Sequence, residues 1–235
     1  MIPSELVLLP GLDGTGRRFA ELVSALPPTV SLNIVKYPTQ EFLSYLELVD
    51  FVKARVSSDR PYVVVAESFA TPLAATFAAT HPQNLAGLVM CVGFVTSPAE
   101  KWSWLVKALA RPLLFRFPPP RWALKHFLMG ENPPRAIEES VRGALRLVNP
   151  NVLARRIRAV LGCDARQELA RTEIPILYIQ AEHDRLAGPQ CLEEIRRLRP
   201  GTMVVSMPGP HLLIQMEPQK TADAIMRFIH QLPEQ

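Results

Sequence analysis

The sequence predicts an α/β protein: a doubly wound, mostly parallel sheet of about six strands, with a helical cap inserted between its two parts. Three observations predict it. Apolar runs of strand length alternate with stretches of helical periodicity over most of the 235 residues. Each apolar run is nearly continuous, which marks strands buried on both faces and hence a parallel sheet under helices. The alternation stops near residue 97 and resumes near 166, and the segment between has no convincing strand. The predicted organisation is a core of residues 1–96 and 166–235 and a helical cap, or lid, of residues 97–165.

The first strand is Glu5–Leu9, closed by the glycine-rich loop Pro10-Gly11-Leu12-Asp13-Gly14-Thr15-Gly16. Helical periodicity follows from Arg17 to Leu26. A second strand, Val30–Lys36, ends at Tyr37-Pro38, and Leu43–Val56 carries a helical apolar stripe. The third strand, Tyr62–Ala66, runs into Glu67-Ser68 and a helix from Phe69 to Ala79, which ends near His81-Pro82. Leu85–Val92 is the fourth strand. The cap is broken by Pro112, Pro118-Pro119-Pro120, Pro133-Pro134 and Pro150, so it reads as several helices. A fifth strand, Ile174–Ala181, leads into Glu182-His183-Asp184-Arg185. A helix at Pro189–Leu198, a sixth strand at Met203–Met207, the loop Pro208-Gly209-Pro210-His211 and a last helix over about Ala222–His230 complete the chain.

Composition narrows the class. No apolar run is long enough for a transmembrane helix, and the N-terminus has neither a basic region nor a signal-like apolar core, which predicts a cytoplasmic protein. Cys91, Cys163 and Cys191 are odd in number and widely spaced, matching neither a zinc pattern nor a disulfide framework and fitting a reducing compartment. Cys91 falls inside a strand and reads as core. The net charge of +4 is uneven: residues 101–130 carry +6 and residues 141–171 carry +5, leaving −7 for the rest. A basic cap on an acidic core fits an acidic acyl-carrier protein, an anionic membrane surface or a plain solvated face. The cations in view are Arg111, Arg116, Arg121, Lys125, Arg142, Arg146, Arg155, Arg156 and Arg158. Nucleic acid is not expected, because no recognition module is present.

The candidate chemistry lies at strand ends. The Tyr62–Ala66 run stops abruptly at a Ser followed by a helix, which is the layout of a nucleophile elbow. Ala66 and Ala70 stand where Gly-x-Ser-x-Gly has its glycines, so this stretch alone equally fits a buried strand with Ser68 as helix N-cap. The loop after the first strand lacks dinucleotide spacing and the Lys-Ser/Thr of a phosphate loop. It reads either as a plain turn or as a source of backbone N–H groups for an oxyanion. Ser68, Asp184 and His211 each follow an apolar strand, and in a parallel sheet those ends share one edge, where ligands bind. Ser, Asp, His is also a known chain order for a Ser-His-Asp triad. In such a triad His takes the Ser proton and the carboxylate orients the imidazole. Glu100 after the fourth strand is the alternative acid. His81 reads as surface or structural, His230 as structural and Asp164 as a cap for the segment after it; His126, in the predicted cap, reads as structural with a substrate contact as the alternative, and His183 yields to Asp184, which has the better position. No metal-ligand spacing appears, and no metal or cofactor is expected.

These motifs together resemble an α/β-hydrolase-fold serine hydrolase. The chain is similar to carboxylesterases that include the pimeloyl–carrier-protein methyl ester esterases. Leu8-Leu9-Pro10-Gly11-Leu12-Asp13-Gly14 stands where that family has a His-Gly loop, with Pro10 in place of His. Ala66-Glu67-Ser68-Phe69-Ala70, Glu182-His183-Asp184 and Gly209-Pro210-His211 match the elbow, acid and base loops. The form Pro-Gly-Leu-Asp-Gly-Thr-Gly also resembles phytyl ester synthase-like acyltransferases. The resemblance covers the chain, the cap only in type and length, and the first two strands of the full fold are missing from the match.

The resemblance implies a carboxylic ester hydrolase with catalytic Ser68, Asp184 and His211, acting on small to medium acyl esters. It implies an oxyanion hole from the backbone N–H groups of Leu12 and Phe69, with Asp13 shaping the loop. An acyltransferase with the same triad, or an esterase for carrier-linked acyl esters, is the alternative. The apolar, Trp-rich cap suggests an acyl pocket including Trp102, Leu105 and Phe127. The alanines of the elbow are read as a slightly wider turn, so Ala66→Gly and Ala70→Gly are each predicted to keep ester turnover. Loss of turnover in a variant that still unfolds cooperatively would contradict that reading.

Overall fold

The computed structural model describes residues 5–56, 59–98, 112–117, 119–131 and 133–233. Its six strands are β1 (Glu5–Leu9), β2 (Ser31–Ile34), β3 (Tyr62–Glu67), β4 (Leu85–Cys91), β5 (Ile176–Ala181) and β6 (Met203–Met207). They form one sheet in the order β2-β1-β3-β4-β5-β6, every pair parallel.

Both faces of the central strands β1, β3, β4 and β5 are covered, as their unbroken apolar runs require, whereas the edge strand β6 leaves Met203 and Val204 exposed. Val7 and Leu9 of β1 and Tyr62, Val64 and Ala66 of β3 pack on one side with Leu48 and Val52 of helix α2 (Tyr45–Lys53) and Leu73 and Phe77 of helix α3 (Ala70–Ala78). Leu6, Leu8, Val63 and Val65 point the other way. They meet Leu22 of helix α1 (Ala20–Ala25) and Ile225, Phe228 and Ile229 of the C-terminal helix Pro218–Gln231. Each fully buried side chain of this size is worth about 1.5–3 kcal/mol relative to exposure. A polar residue at any of these strand positions would face a helix layer, not water.

Two boundaries differ from the sequence reading for local reasons. α2 begins two residues later than the apolar stripe. Ser44 and Glu47 form a capping box there: the Ser44 side chain accepts the Glu47 N–H at 3.4 Å, and the Glu47 carboxylate accepts the Ser44 N–H at 2.7 Å. The last helix starts at Pro218, four residues before the expected Ala222, because proline suits the first helical turn and Thr221 already bonds back to the Glu217 carbonyl.

Chain order and sheet order together create the site's position. The chain leaves β1, builds the edge strand β2, then returns to the other side of β1 as β3. The reversal opens a crevice beyond the C-terminal ends of β1 and β3, where ligands bind in sheets of this kind. The loop Pro10–Gly16 and Ser68 are the segments that leave those two ends.

Between β4 and β5 the described residues form helices joined by turns. The helical stretches are Pro112–Arg116, Arg121–Leu124, Lys125–Met129, Arg135–Arg146, Pro150–Val160 and Arg166–Arg171. A single bridge joins Thr96 to Asp164 at the base of this segment. Leu124, Met129, Ile137 and Val141 enclose Leu212, next to His211, and Val148, Val152 and Leu153 pack with Leu12 and Phe42. The segment therefore rests on loops that leave the C-terminal edge of the sheet. Among the described residues no helix is long and apolar enough to cross a membrane.

The junction of β4 with α3 leaves no spare volume. A Cβ added to Gly93 would lie 2.5 Å from Thr71 Cγ2 and 2.8 Å from its Oγ1. Gly93→Ala is expected to lower stability by about 1–3 kcal/mol in denaturant unfolding, the usual cost of overpacking a closed site; a change within error would mean that Thr71 yields freely.

Candidate active site

Ser68 takes φ +52°, in the left-handed region that non-glycine residues rarely occupy. Its neighbours hold it there. Its N–H donates to the Cys91 carbonyl at 3.0 Å, and its carbonyl accepts the Thr71 N–H at 2.9 Å. Thr71 Oγ1 lies 2.8 Å from both the Ser68 and Phe94 carbonyls. Within residues 61–75, Ser68 alone is not fully enclosed. Ala66 and Ala70 are completely buried, so the turn accommodates both methyl groups and places its strain on Ser68. The geometry is a sharp strand-to-helix turn with the hydroxyl at its tip.

The loops after β5 and β6 bring two further side chains to this hydroxyl. Ser68 Oγ lies 2.8 Å from His211 Nε2, and His211 Nδ1 lies 2.8 Å from Asp184 Oδ2. The other Asp184 oxygen accepts the N–H groups of Leu186 at 2.8 Å and Ala187 at 2.9 Å. Asp184 and His211 are both buried. The carboxylate is thus held by its own loop, and it can hold the imidazole in one tautomer with the other nitrogen facing Ser68.

Behind Ser68 lies a buried ionic group that sequence reasoning missed. Glu67, the buried last residue of β3, is 3.2 Å from the Arg18 guanidinium. It also accepts the Gln215 side-chain N–H at 3.0 Å and the Gly11 N–H at 3.3 Å. Arg18 Nε donates to Asp13 at 2.8 Å, and Asp13 accepts the Thr15 N–H at 2.8 Å and the Thr15 hydroxyl. Burial pushes the Asp13 carboxyl up, but Arg18 and the Thr15 hydrogen bonds outweigh it and hold the group below its ordinary range. Arg18, also buried and compensated by Glu67 and Asp13, is raised above the ordinary guanidinium value. The signal was present in the sequence: a carboxylate at the end of a buried apolar strand requires a cation or donors nearby. Its partner, 49 positions earlier in the chain, was not legible.

The helical segment is fastened to the same loop. Arg156 of helix Pro150–Val160 is 1% exposed. One terminal nitrogen donates to the Leu12 carbonyl at 2.9 Å and the Asp13 carbonyl at 2.8 Å, and the other donates to the Pro38 carbonyl at 2.8 Å. Desolvation lowers its pKa from the ordinary value. This corrects the reading of Arg156 as one of the outward-facing cations of the cap. Helical spacing from Val152, Leu153 and Val160 already places it on the inward face. Nearby, the Tyr45 hydroxyl donates to the Phe69 carbonyl at 3.1 Å, and their rings stack 5.1 Å apart.

The remaining candidates lie elsewhere. His81, His183 and His230 are exposed. His126 is exposed and its Nδ1 sits 2.6 Å from an Arg185 terminal nitrogen. Asp164 accepts the Arg166 N–H at the start of the helix Arg166–Arg171. Cys91 is fully buried in β4, and burial raises its thiol pKa. Phe127 is 41% exposed and meets the His126 ring edge-on. Trp102, Leu105, Glu100 and Arg111 lie outside the described residues. Among the described residues, no group of three or more His, Cys, Asp or Glu side chains is arranged to hold a metal ion.

The all-parallel sheet, the strained serine at a strand end and the 2.8 Å contacts from Ser68 to His211 and from His211 to Asp184 point to a class. The chain belongs to the α/β hydrolase family, whose sequence model matches residues 6–224. Among curated proteins, none matches the chain by sequence. Solved structures share the fold at low identity. A hydrolase from Pseudomonas aeruginosa PA01 is 22% identical over 97% of this chain and 90% of its own, with a TM-score of 0.74. The enol-lactonase from Burkholderia xenovorans LB400 is 16% identical over 97% and 92%, with a TM-score of 0.78. An esterase from Exiguobacterium antarcticum is 11% identical over 97% and 92%, with a TM-score of 0.79.

Arg156→Met keeps most of the side-chain volume but leaves three loop carbonyls without their donor. It is expected to lower stability by about 2–4 kcal/mol, since each buried acceptor left unpaired costs about 1–3 kcal/mol and the cost of burying the charge is relieved at the same time. Denaturant unfolding measures the loss, and amide exchange at Leu12 to Gly16 should accelerate. Unchanged exchange in that loop would show that the clasp does not restrain it.

Proposed function

We propose that the chain is a carboxylic ester hydrolase with Ser68 as nucleophile, His211 as general base and acid, and Asp184 as the group that orients and stabilises the imidazole. The observation that carries this reading is the continuous line of 2.8 Å contacts from Ser68 Oγ through His211 to Asp184. With Nδ1 protonated and donating to Asp184, Nε2 accepts the Ser68 proton as Oγ attacks the acyl carbonyl carbon. The tetrahedral intermediate collapses with the His211 proton delivered to the leaving alcohol oxygen. Water, deprotonated by His211, then attacks the acyl enzyme and returns Ser68 with release of the acid.

The oxyanion would be held by the backbone N–H groups of Leu12 and Phe69. Leu12 belongs to the loop after β1 and Phe69 follows Ser68 at the start of α3, so both leave strand ends that flank the crevice. Each such donor is worth about 10²–10³ in turnover. Asp13 is occupied by Thr15 and Arg18, which supports its role as a shaper of the loop. The helical segment serves in this reading as a cap over an acyl-binding site, with Phe127, Trp102 and Leu105 as contacts. The three free cysteines favour a reducing, cytoplasmic setting.

Ser68→Ala is expected to reduce hydrolysis of p-nitrophenyl esters by on the order of 10⁴ or more while leaving the fold intact. The wild type, and not this variant, should be labelled by a fluorophosphonate. Full turnover in Ser68→Ala, or labelling at another residue, would overturn the assignment. A panel of acyl lengths then sets the substrate range.

A further inference from the structure

Among the described residues, the stretch 112–122 presents large apolar side chains to water. Leu113 is 63% exposed, Phe117 71% and Trp122 68%. This is not a loosely held end of the chain: in the stretch that follows Pro120, Leu124 and Met129 are buried against Ile137, Val141 and Leu212. That packing fixes which side of the stretch faces outward, and Trp122 is on it. Cations lie in the same stretch of chain. Arg116 is exposed, and the Arg121 side chain is 64% exposed. Lys125 is half-buried. No Asp or Glu occurs between Pro112 and Gly130. The facing carboxylate is Glu138, which is shared between Arg121 at 2.8 Å and Arg142 at 3.1 Å, so that cluster keeps a net positive charge.

We propose that the side chains of Leu113, Arg116, Phe117, Arg121, Trp122 and Lys125 together form a face that docks on an anionic lipid bilayer. An acidic carrier protein would account for the cations alone. A lipid surface accounts for both groups at once: the rings of Phe117 and Trp122 and the Leu113 side chain enter the headgroup boundary, while Arg116, Arg121 and Lys125 meet lipid phosphates. Aromatic side chains with an apolar body prefer that boundary to water. The docking does not require the hydrolase reading, because it uses none of Ser68, His211 or Asp184.

The test uses the full chain carrying Ser68→Ala, so that binding and turnover are separated. Sedimentation is measured with vesicles of phosphatidylcholine alone and with about one third phosphatidylglycerol. Association is expected to be at least about tenfold stronger with the anionic vesicles at an ionic strength of about 0.05 M, and to fall sharply at about 0.5 M. Adding Phe117→Ser and Trp122→Ser should weaken it about tenfold on either lipid. Adding Arg116→Gln and Lys125→Gln should weaken it about fivefold per cation on anionic vesicles only. All four positions lie outside the described core clusters, and circular dichroism with thermal unfolding verifies that each variant folds. Equal association with both lipids, no association, or binding untouched by the aromatic pair would overturn the proposal. So would binding to an acidic acyl-carrier protein without vesicle binding.

Discussion

The backbone of Ser68 is the constraint on which the rest of the site depends. A left-handed φ at a residue with a Cβ costs about 1–2 kcal/mol, so it persists only where the surroundings over-determine it. Here β4 fixes the serine through Cys91, and α3 fixes it through Thr71, whose hydroxyl reaches the Phe94 carbonyl as well. Val92, one residue past β4, is itself at φ +46°, and its N–H is tied to the Ile179 carbonyl at 2.9 Å. The strain is therefore spread over two neighbouring strand ends and carried by the central, fully buried part of the sheet. The hydroxyl is aimed by three strands, and no loop has to order itself to aim it.

The buried ions link that turn to the opposite wall of the crevice. Arg18 touches Glu67 on the strand that ends in Ser68 and Asp13 on the loop after β1, so one guanidinium sets the spacing between the two. Arg156 then binds the Leu12 and Asp13 carbonyls from the helical segment. Two carboxylates and two guanidiniums balance in charge, which matters because an uncompensated ion at this depth would cost several kcal/mol. Such a group contributes less to net stability than to geometry. An apolar replacement of the whole set could be as stable, yet it would not position the Leu12 peptide relative to Ser68.

The basic helical segment has two different kinds of cation. Arg156 is a buried fastening, Arg155 lies over the Phe42 ring at 4.1 Å, and Arg121 and Arg142 share Glu138. The excess of arginine in the sequence is thus partly structural. The contrast between an inward face that grips the core loops and an outward face with exposed rings is a property of amphipathic helices whose polar positions serve both sides.

Local pattern by itself determined the layered fold. Continuous apolar strands can only be satisfied by cover on both faces, and short helix-length connections make those strands parallel. Parallel strands bring their C-terminal ends to one edge, so Ser68, Asp184 and His211 were legible as neighbours from their places after β3, β5 and β6. The tertiary structure decided the rest. It decided the 2.8 Å spacings, since these depend on sheet twist and loop conformation that residue types do not encode locally. It paired Glu67 with Arg18, and Arg156 with the Leu12 carbonyl, because an ion's partner is set by which surfaces meet across 49 or 144 positions of chain. Hydrophobic periodicity is a short-range code and survives in the sequence, whereas charge compensation in a buried crevice is a long-range condition that appears only once the strands are assembled.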